Sequence, residues 1–139
     1  MAIPQMNKYH GNIVKVESHG ALSMAAVALS GGVEISAIVI ETPESASYLK
    51  EGSQISVLFK ETEVILSTGP VEQIGIQNRI PGEVRLVETD ALLSKVALET
   101  PLGELEAIIA SSEVKFLGLA EGDRVTALIK INEVMLSAL

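Results

Sequence analysis

Apolar and polar residues alternate with a period of two through most of the chain, in short stretches separated by turn-forming residues. GNIVKVES (11–18), ALSMAAVALS (21–30), VEISAIVI (33–40), SQISVLFK (53–60) and EVILS (63–67) predict five strands. Gly31-Gly32 follows the second and Glu51-Gly52 precedes the fourth, where the chain must turn. Between the third and fourth, TPESASYLK breaks the alternation and predicts a single helical turn, opened by Thr42 with Pro43 at the first helical position.

The same order then recurs. LKEGSQISVLFKETEVILS at 49–67 lies on LAEGDRVTALIKINEVMLS at 119–137 at a constant offset of 70, with nine of nineteen positions identical. Most of the remainder are conservative pairs such as Ile55/Val125 and Ser56/Thr126. Upstream, NKYHGNIVKVES (7–18) pairs with NRIPGEVRLVET (78–89) at an offset of 71, and the one-residue difference falls in the loop after Gly31-Gly32 and near Gly103. In the second copy SSEVKFLGLA takes the place of the helical turn, with Ser111 or Ser112 as N-cap. The expected fold is all-β: two tandem OB-like five-stranded barrels, each with one short helix between strands three and four. Residues 1–68 form the first unit, 69–77 the linker, in which Ile74-Gly75-Ile76 reads equally as an edge strand, and 78–139 the second unit. A unit this small buries only about 60% of its unfolded surface, so the units should pack on one another and on further chains.

Composition narrows the function. Of 139 residues 47% are hydrophobic and 20% charged, which is globular, and with only four Phe and Tyr and no Trp the core must come from Val, Ile, Leu and Ala. Ten Lys and Arg against eighteen Asp and Glu leave a net charge of −8, which disfavours nucleic acid and anionic membrane as partners. The absence of Cys removes disulfides, zinc thiolates and a thiol nucleophile. No apolar run has the length of a membrane span, and the start MAIPQMNKYHG lacks the core of a signal peptide, so a cytoplasmic location is expected.

Catalysis is not expected either. The two histidines, His10 and His19, both fall in the first copy, where the second has Pro81 and Asp90, and both read as surface turn residues. The polar residues that recur are of more interest. Lys60 and Lys130 end an otherwise apolar fourth strand; each reads as a solvated strand terminus or as a cation held at a barrel mouth for a tetrahedral oxyanion. Asn7 and Asn78 begin each unit, as turn residues or as donors to a ligand. Ser111 and Ser112 are simplest as N-caps, with the N–H groups that follow open to an anion.

N-K-Y-H-G and N-R-I-P-G at the start of each unit, E-G before strand four, and the closing FKETEVILS and IKINEVMLS resemble the Mop or TOBE domain of molybdate-binding proteins, here as the tandem pair called di-Mop. The resemblance covers nearly the whole chain. It implies a non-catalytic cytoplasmic carrier or store of molybdate or tungstate, with no catalytic cofactor. It also implies a homo-oligomer, since stand-alone di-Mop chains form trimers and their sites lie where units meet. The family's usual Ser-Ala-Arg-Asn opening falls on Pro4-Gln5-Met6-Asn7 and Gly75-Ile76-Gln77-Asn78, so only the Asn is retained in both. The hydroxyl positions after strand three fall on Ile40, Pro43, Ala110 and Glu113, with Thr42, Ser111 and Ser112 as the substitutes at hand. The resemblance thus implies an oxyanion shell drawn from Lys60, Lys130, Asn7, Asn78, Gln77, Arg79, Thr42, Ser111 and Ser112. The second copy, with Gly75, Gln77, Arg79 and the two serines against Pro4, Met6 and Pro43, is expected to hold the tighter sites.

Two functions of different kinds fit these residues. One is a molybdate or tungstate carrier; the other is an oligomeric scaffold or regulatory module that keeps the fold without the ligand. The net charge does not decide between them, because at a Debye length of about 8 Å a dispersed surface charge weighs less on a dianion than one Lys in contact.

Overall fold

The computed structural model describes residues 5–139. Pro4 lies outside the described residues, as does the start of the first unit's expected span. In the first unit the chain forms β1 (Met6–His19), β2 (Leu22–Ala28), β3 (Glu34–Val39), β4 (Gln54–Lys60) and β5 (Ile65–Ser67). In the second it forms β6 (Asn78–Thr89), β7 (Leu93–Thr100), β8 (Gly103–Ala110), helix α1 (Ser111–Leu117), β9 (Arg124–Ile129) and β10 (Met135–Ala138). Short 3-10 turns occupy Ser30–Gly32, Glu61–Glu63 and Ile131–Glu133.

The ten strands make two antiparallel five-stranded sheets, ordered β10-β4-β1-β2-β3 and β5-β9-β6-β7-β8. Each is curled as in an OB-like domain, but the two repeats have exchanged their fifth strands. Leu136 of the second repeat pairs with Val57 of the first, and Leu66 of the first pairs with Ala127 of the second. The tandem barrels expected from the repeat are therefore not self-contained: each closes with a strand of the other. The buried residues accordingly form a single apolar cluster that runs from Ile13 and Phe59 of the first repeat to Leu105 and Ile129 of the second.

The long first strand of each repeat shapes its sheet. β1 pairs with β4 over its first half and with β2 over its second, and a bulge between Ile13 and Lys15 bends it from one partner to the other. β6 does the same, with its bulge between Val84 and Leu86. Just before the first bulge, a Cβ on Gly11 would lie 2.2 Å from the Ala28 carbonyl oxygen, so the crossing strands can approach only over glycine. Gly52 and Gly122 turn the chain into strand four at φ of 90° and 94°, which any other residue would adopt only under strain.

The structure corrects several local expectations. Between β3 and β4 no α-helix forms; residues 42–49 make separate turns, with Ala46 N–H bonded to Thr42 C=O at 2.8 Å and Leu49 N–H to Ala46 C=O at 3.1 Å. The Ser45 hydroxyl takes the Thr42 N–H and returns a bond to its carbonyl, and this competition, in a stretch of Ser, Thr and Pro, stops the helix from propagating. In α1 the N-cap is Ala110, not Ser111 or Ser112; Ser111 is the first helical residue, and its hydroxyl donates instead to Asp90 C=O at 2.7 Å. Ile74-Gly75-Ile76 joins no ladder, and His10 and His19 lie within β1 rather than in a turn. Among the described residues no helix is long and apolar enough to cross a membrane.

Candidate functional site

The two repeats meet along two seams related by the internal pseudo-symmetry, and an asparagine sits in each. Asn78, 1% exposed, accepts the Ser36 N–H at 2.8 Å and donates to the Ser36 carbonyl at 2.9 Å, so its amide stands in for a neighbouring strand against β3. Asn7 makes the same pair of bonds, both 2.9 Å, to the N–H and C=O of Glu106 on β8. Both amides are spent on joining the repeats.

Beside the Asn78 seam lies a cavity of about 160 Å³ lined by Gly75, Ile76, Gln77, Lys130 and Ile131. Lys130 is the extended residue (φ −66°, ψ 147°) that leads from β9 into the turn Ile131–Glu133, and its side chain is exposed. The 74–77 segment is shaped by Arg79, which donates from Nε to Ile76 C=O at 2.9 Å and from a terminal guanidinium nitrogen to Ile74 C=O at 2.8 Å. Gln77 donates from Nε2 to the Ser36 hydroxyl at 3.0 Å, which fixes it at the cavity wall.

The equivalent place beside the Asn7 seam is built differently. Glu61, 4% exposed, accepts the Gln5 N–H at 3.0 Å through Oε1. Lys95 Nζ lies 3.6 Å from that carboxylate and 2.7 Å from Glu106 Oε2. These residues border a polar cavity of about 270 Å³ with Tyr9, whose hydroxyl donates to the Glu104 carbonyl at 2.7 Å. Burial, and then the facing Glu106, push the Glu61 carboxyl up. Burial, the largest single influence on Glu106, opposes its ionisation, but the interactions with Lys95, Glu61 and Glu104 together outweigh it and hold this carboxyl below its usual range. The bond to Glu106 raises the Lys95 ammonium against the opposing effect of burial. Burial, followed by the charges of Glu104 and Glu106, raises the Tyr9 phenol.

A family model described as the TOBE domain matches residues 5–66 and again 75–136. The chain belongs to the TOBE domain family. Of curated relatives, the Molybdenum transport protein ModE of Herbaspirillum seropedicae is 29% identical over 133 residues, and that of Azotobacter vinelandii 25% over 132. Each match covers 94% of this chain and 49% of the relative, so the chain spans about half the length of the curated relatives it matches. Among solved structures, the cytoplasmic molybdate-binding protein ModG with molybdate bound superposes with a TM-score of 0.89 at 26% identity, covering 96% of both chains.

Within this TOBE pair, the structure brings Gln77 and Lys130 to one cavity, with Arg79 behind it bracing the 74–77 segment. Lys60, equivalent to Lys130, ends β4 exposed and opposite Met6, and it is not among the residues that line the cavity beside Glu61. Thr42, half-buried, is held by Ser45; Ser111 is buried against Ser94, with 2.8 Å between their hydroxyl oxygens, and Ser112 is exposed on α1. A larger groove of about 490 Å³, bordered by Ser67, Pro81, Glu99 and Arg124, collects none of the expected site residues. His10 Nδ1 lies 2.9 Å from the Ser56 hydroxyl, but Ser56 is buried and so closed to a substrate. The Glu61–Lys95–Glu106 cluster escaped sequence reasoning. Its signal was there: at all three positions the other repeat carries an uncharged residue, Ile131, Met24 and Ser36.

Proposed function

We propose that the chain binds molybdate, and tungstate through the same shell, as a cytoplasmic binding or storage protein in molybdenum homeostasis that acts as a homo-oligomer, a trimer in its simplest form. The observation that carries this reading is the cavity where Gly75, Gln77 and Lys130 converge. An ammonium with three donors, a side-chain amide and backbone next to glycine suit a tetrahedral dianion, which asks for several donors and no carboxylate. The likeness to ModG, solved with molybdate bound, supports the same ligand class. In this reading Lys130 supplies the charge, the Gln77 side chain and the backbone N–H groups of Gly75 and Gln77 supply neutral donors, and Arg79 acts through the segment it braces. Asn7 and Asn78 act by holding the seams in register. A partner chain laid over the exposed cavity would complete the shell.

The scaffold reading has one observation in its favour, the commitment of both asparagines to the seams. Calorimetric titration with molybdate, tungstate and sulfate separates the two. Heat from molybdate and tungstate, with at least about tenfold weaker binding in Lys130→Met, is the expected result. No heat from any of the three anions would leave the scaffold.

A further inference from the structure

The internal symmetry makes each end of the molecule a control for the other. At the second repeat's end, Ile131 follows Lys130 and its side chain offers no polar atom to the cavity of Gly75, Gln77 and Lys130. At the first repeat's end, Glu61 follows Lys60 and turns inward. Its carboxylate accepts the N–H of Gln5, the residue equivalent to Ile76 in the second cavity wall, and lies within ion-pair distance of Lys95. A negatively charged group with hydrogen-bond donors around it therefore already stands where the symmetry would place a ligand.

We propose that the side-chain carboxylate of Glu61 fills the first repeat's oxyanion position, leaving Gly75–Gln77 and Lys130 as the one open position in each chain. This rests on the oxyanion reading of the second cavity. Three features act together. The Gln5 N–H is bonded to the Glu61 carboxylate, an anionic acceptor, whereas its equivalent, the Ile76 N–H, bonds within its own loop to the Ile74 carbonyl at 2.8 Å. Lys95, the half-buried cation of the cluster, is held by Glu106 at 2.7 Å and cannot turn to a ligand without leaving that carboxylate unpaired. The cavity wall carries three carboxylates, Glu61, Glu104 and Glu106, against the two ammonium groups of Lys8 and Lys95, so a dianion entering it meets net repulsion. None of these carboxylates has an acidic counterpart at the second cavity except Glu104, whose equivalent is Glu34.

The test is the stoichiometry of molybdate bound to the intact chain, read by calorimetry on the wild type, Lys60→Met, Lys130→Met and Glu61→Ala. One molybdate per chain in the wild type, bound at least about tenfold more weakly in Lys130→Met and changed by less than about twofold in Lys60→Met, is expected. Removing the carboxylate in Glu61→Ala frees the Gln5 N–H and should add a second, weaker binding event that the wild type lacks. Two equivalent molybdates per wild-type chain, or loss of binding in Lys60→Met, would overturn the proposal while leaving the oxyanion function intact. A folded Glu61→Ala protein with no second event would also overturn it, since something other than the carboxylate would then close the position. The wild-type and lysine measurements decide the matter even if Glu61→Ala fails to fold. A wild type that binds no oxyanion at all would instead remove the function on which the proposal stands.

Discussion

Asn78 pairs its amide oxygen and one amide N–H with the N–H and C=O of a single residue, Ser36, and that pairing explains why a polar side chain is tolerated at 1% exposure. Truncating it would strand both the N–H and the C=O of Ser36 away from water. Asn78→Ala should therefore destabilise the fold by about 2 kcal/mol or more, and Asn7→Ala by less, because its bonds to Glu106 are only partly buried. Urea denaturation of the two variants against wild type checks the order; equal losses would mean that the seams are equally dry. The recurrence of this Asn was plain in the sequence, and its role was not. An amide that mimics a strand and an amide that contacts a ligand need the same residue, and only the presence of Ser36 opposite it tells them apart.

At the scale of elements, the exchanged strands are the main departure from the fold expected of a simple repeat. β5 and β10 begin with nearly the same sequence, Ile65-Leu66-Ser67 and Met135-Leu136-Ser137, so each can pair with either fourth strand through the same apolar contacts. What directs them is the 3-10 turn that follows Lys60 and Lys130, which packs on the third strand of the opposite repeat and delivers the chain there. Deleting residues 135–139 should thus expose the edge of β4, in the first repeat, and raise amide exchange at 55–58. A fold without exchange would show the loss at 125–128 instead. The missing helix of the first repeat has a similarly local cause. Ser45 bonds the backbone of Thr42, whereas the second repeat's SSEVKFL lacks such a competitor within the helix and ends on Gly118 at φ 64°.

For the whole molecule, the ionic cluster makes stability depend on pH in a direction that can be worked out. Glu61 has its carboxyl raised in the folded state, so its ionised form is a cost there. That cost is relieved as pH falls from neutral towards the ordinary carboxylate value, and the fold gains stability in this window. Glu106, shifted the other way, loses its contribution only at lower pH, as its depressed pKa is crossed, and Lys95 loses its own only on the alkaline side. Between about pH 7.5 and about pH 5 the wild type should therefore gain more in melting temperature than Glu61→Gln, which mimics the protonated carboxyl throughout. Parallel curves for the two proteins would show that Glu61 ionises in the fold without penalty.

By itself the sequence determined the strands, their order, the duplication and the family, because these follow from local periodicity and from residues such as Gly52 and Gly122 whose backbone demands are local. The family resemblance also marked Lys130 and Gln77 among nine shell candidates, and the fold places these two at one cavity. The tertiary structure decided which sheet each fifth strand enters, that the asparagines join the repeats, and that a buried carboxylate stands at one end where an open cavity stands at the other. Those outcomes depend on which of two near-identical partners lies opposite, as Ser36 lies opposite Asn78 and Lys95 beside Glu61. A repeat that reads the same twice along the chain cannot specify that choice until the two copies are packed together.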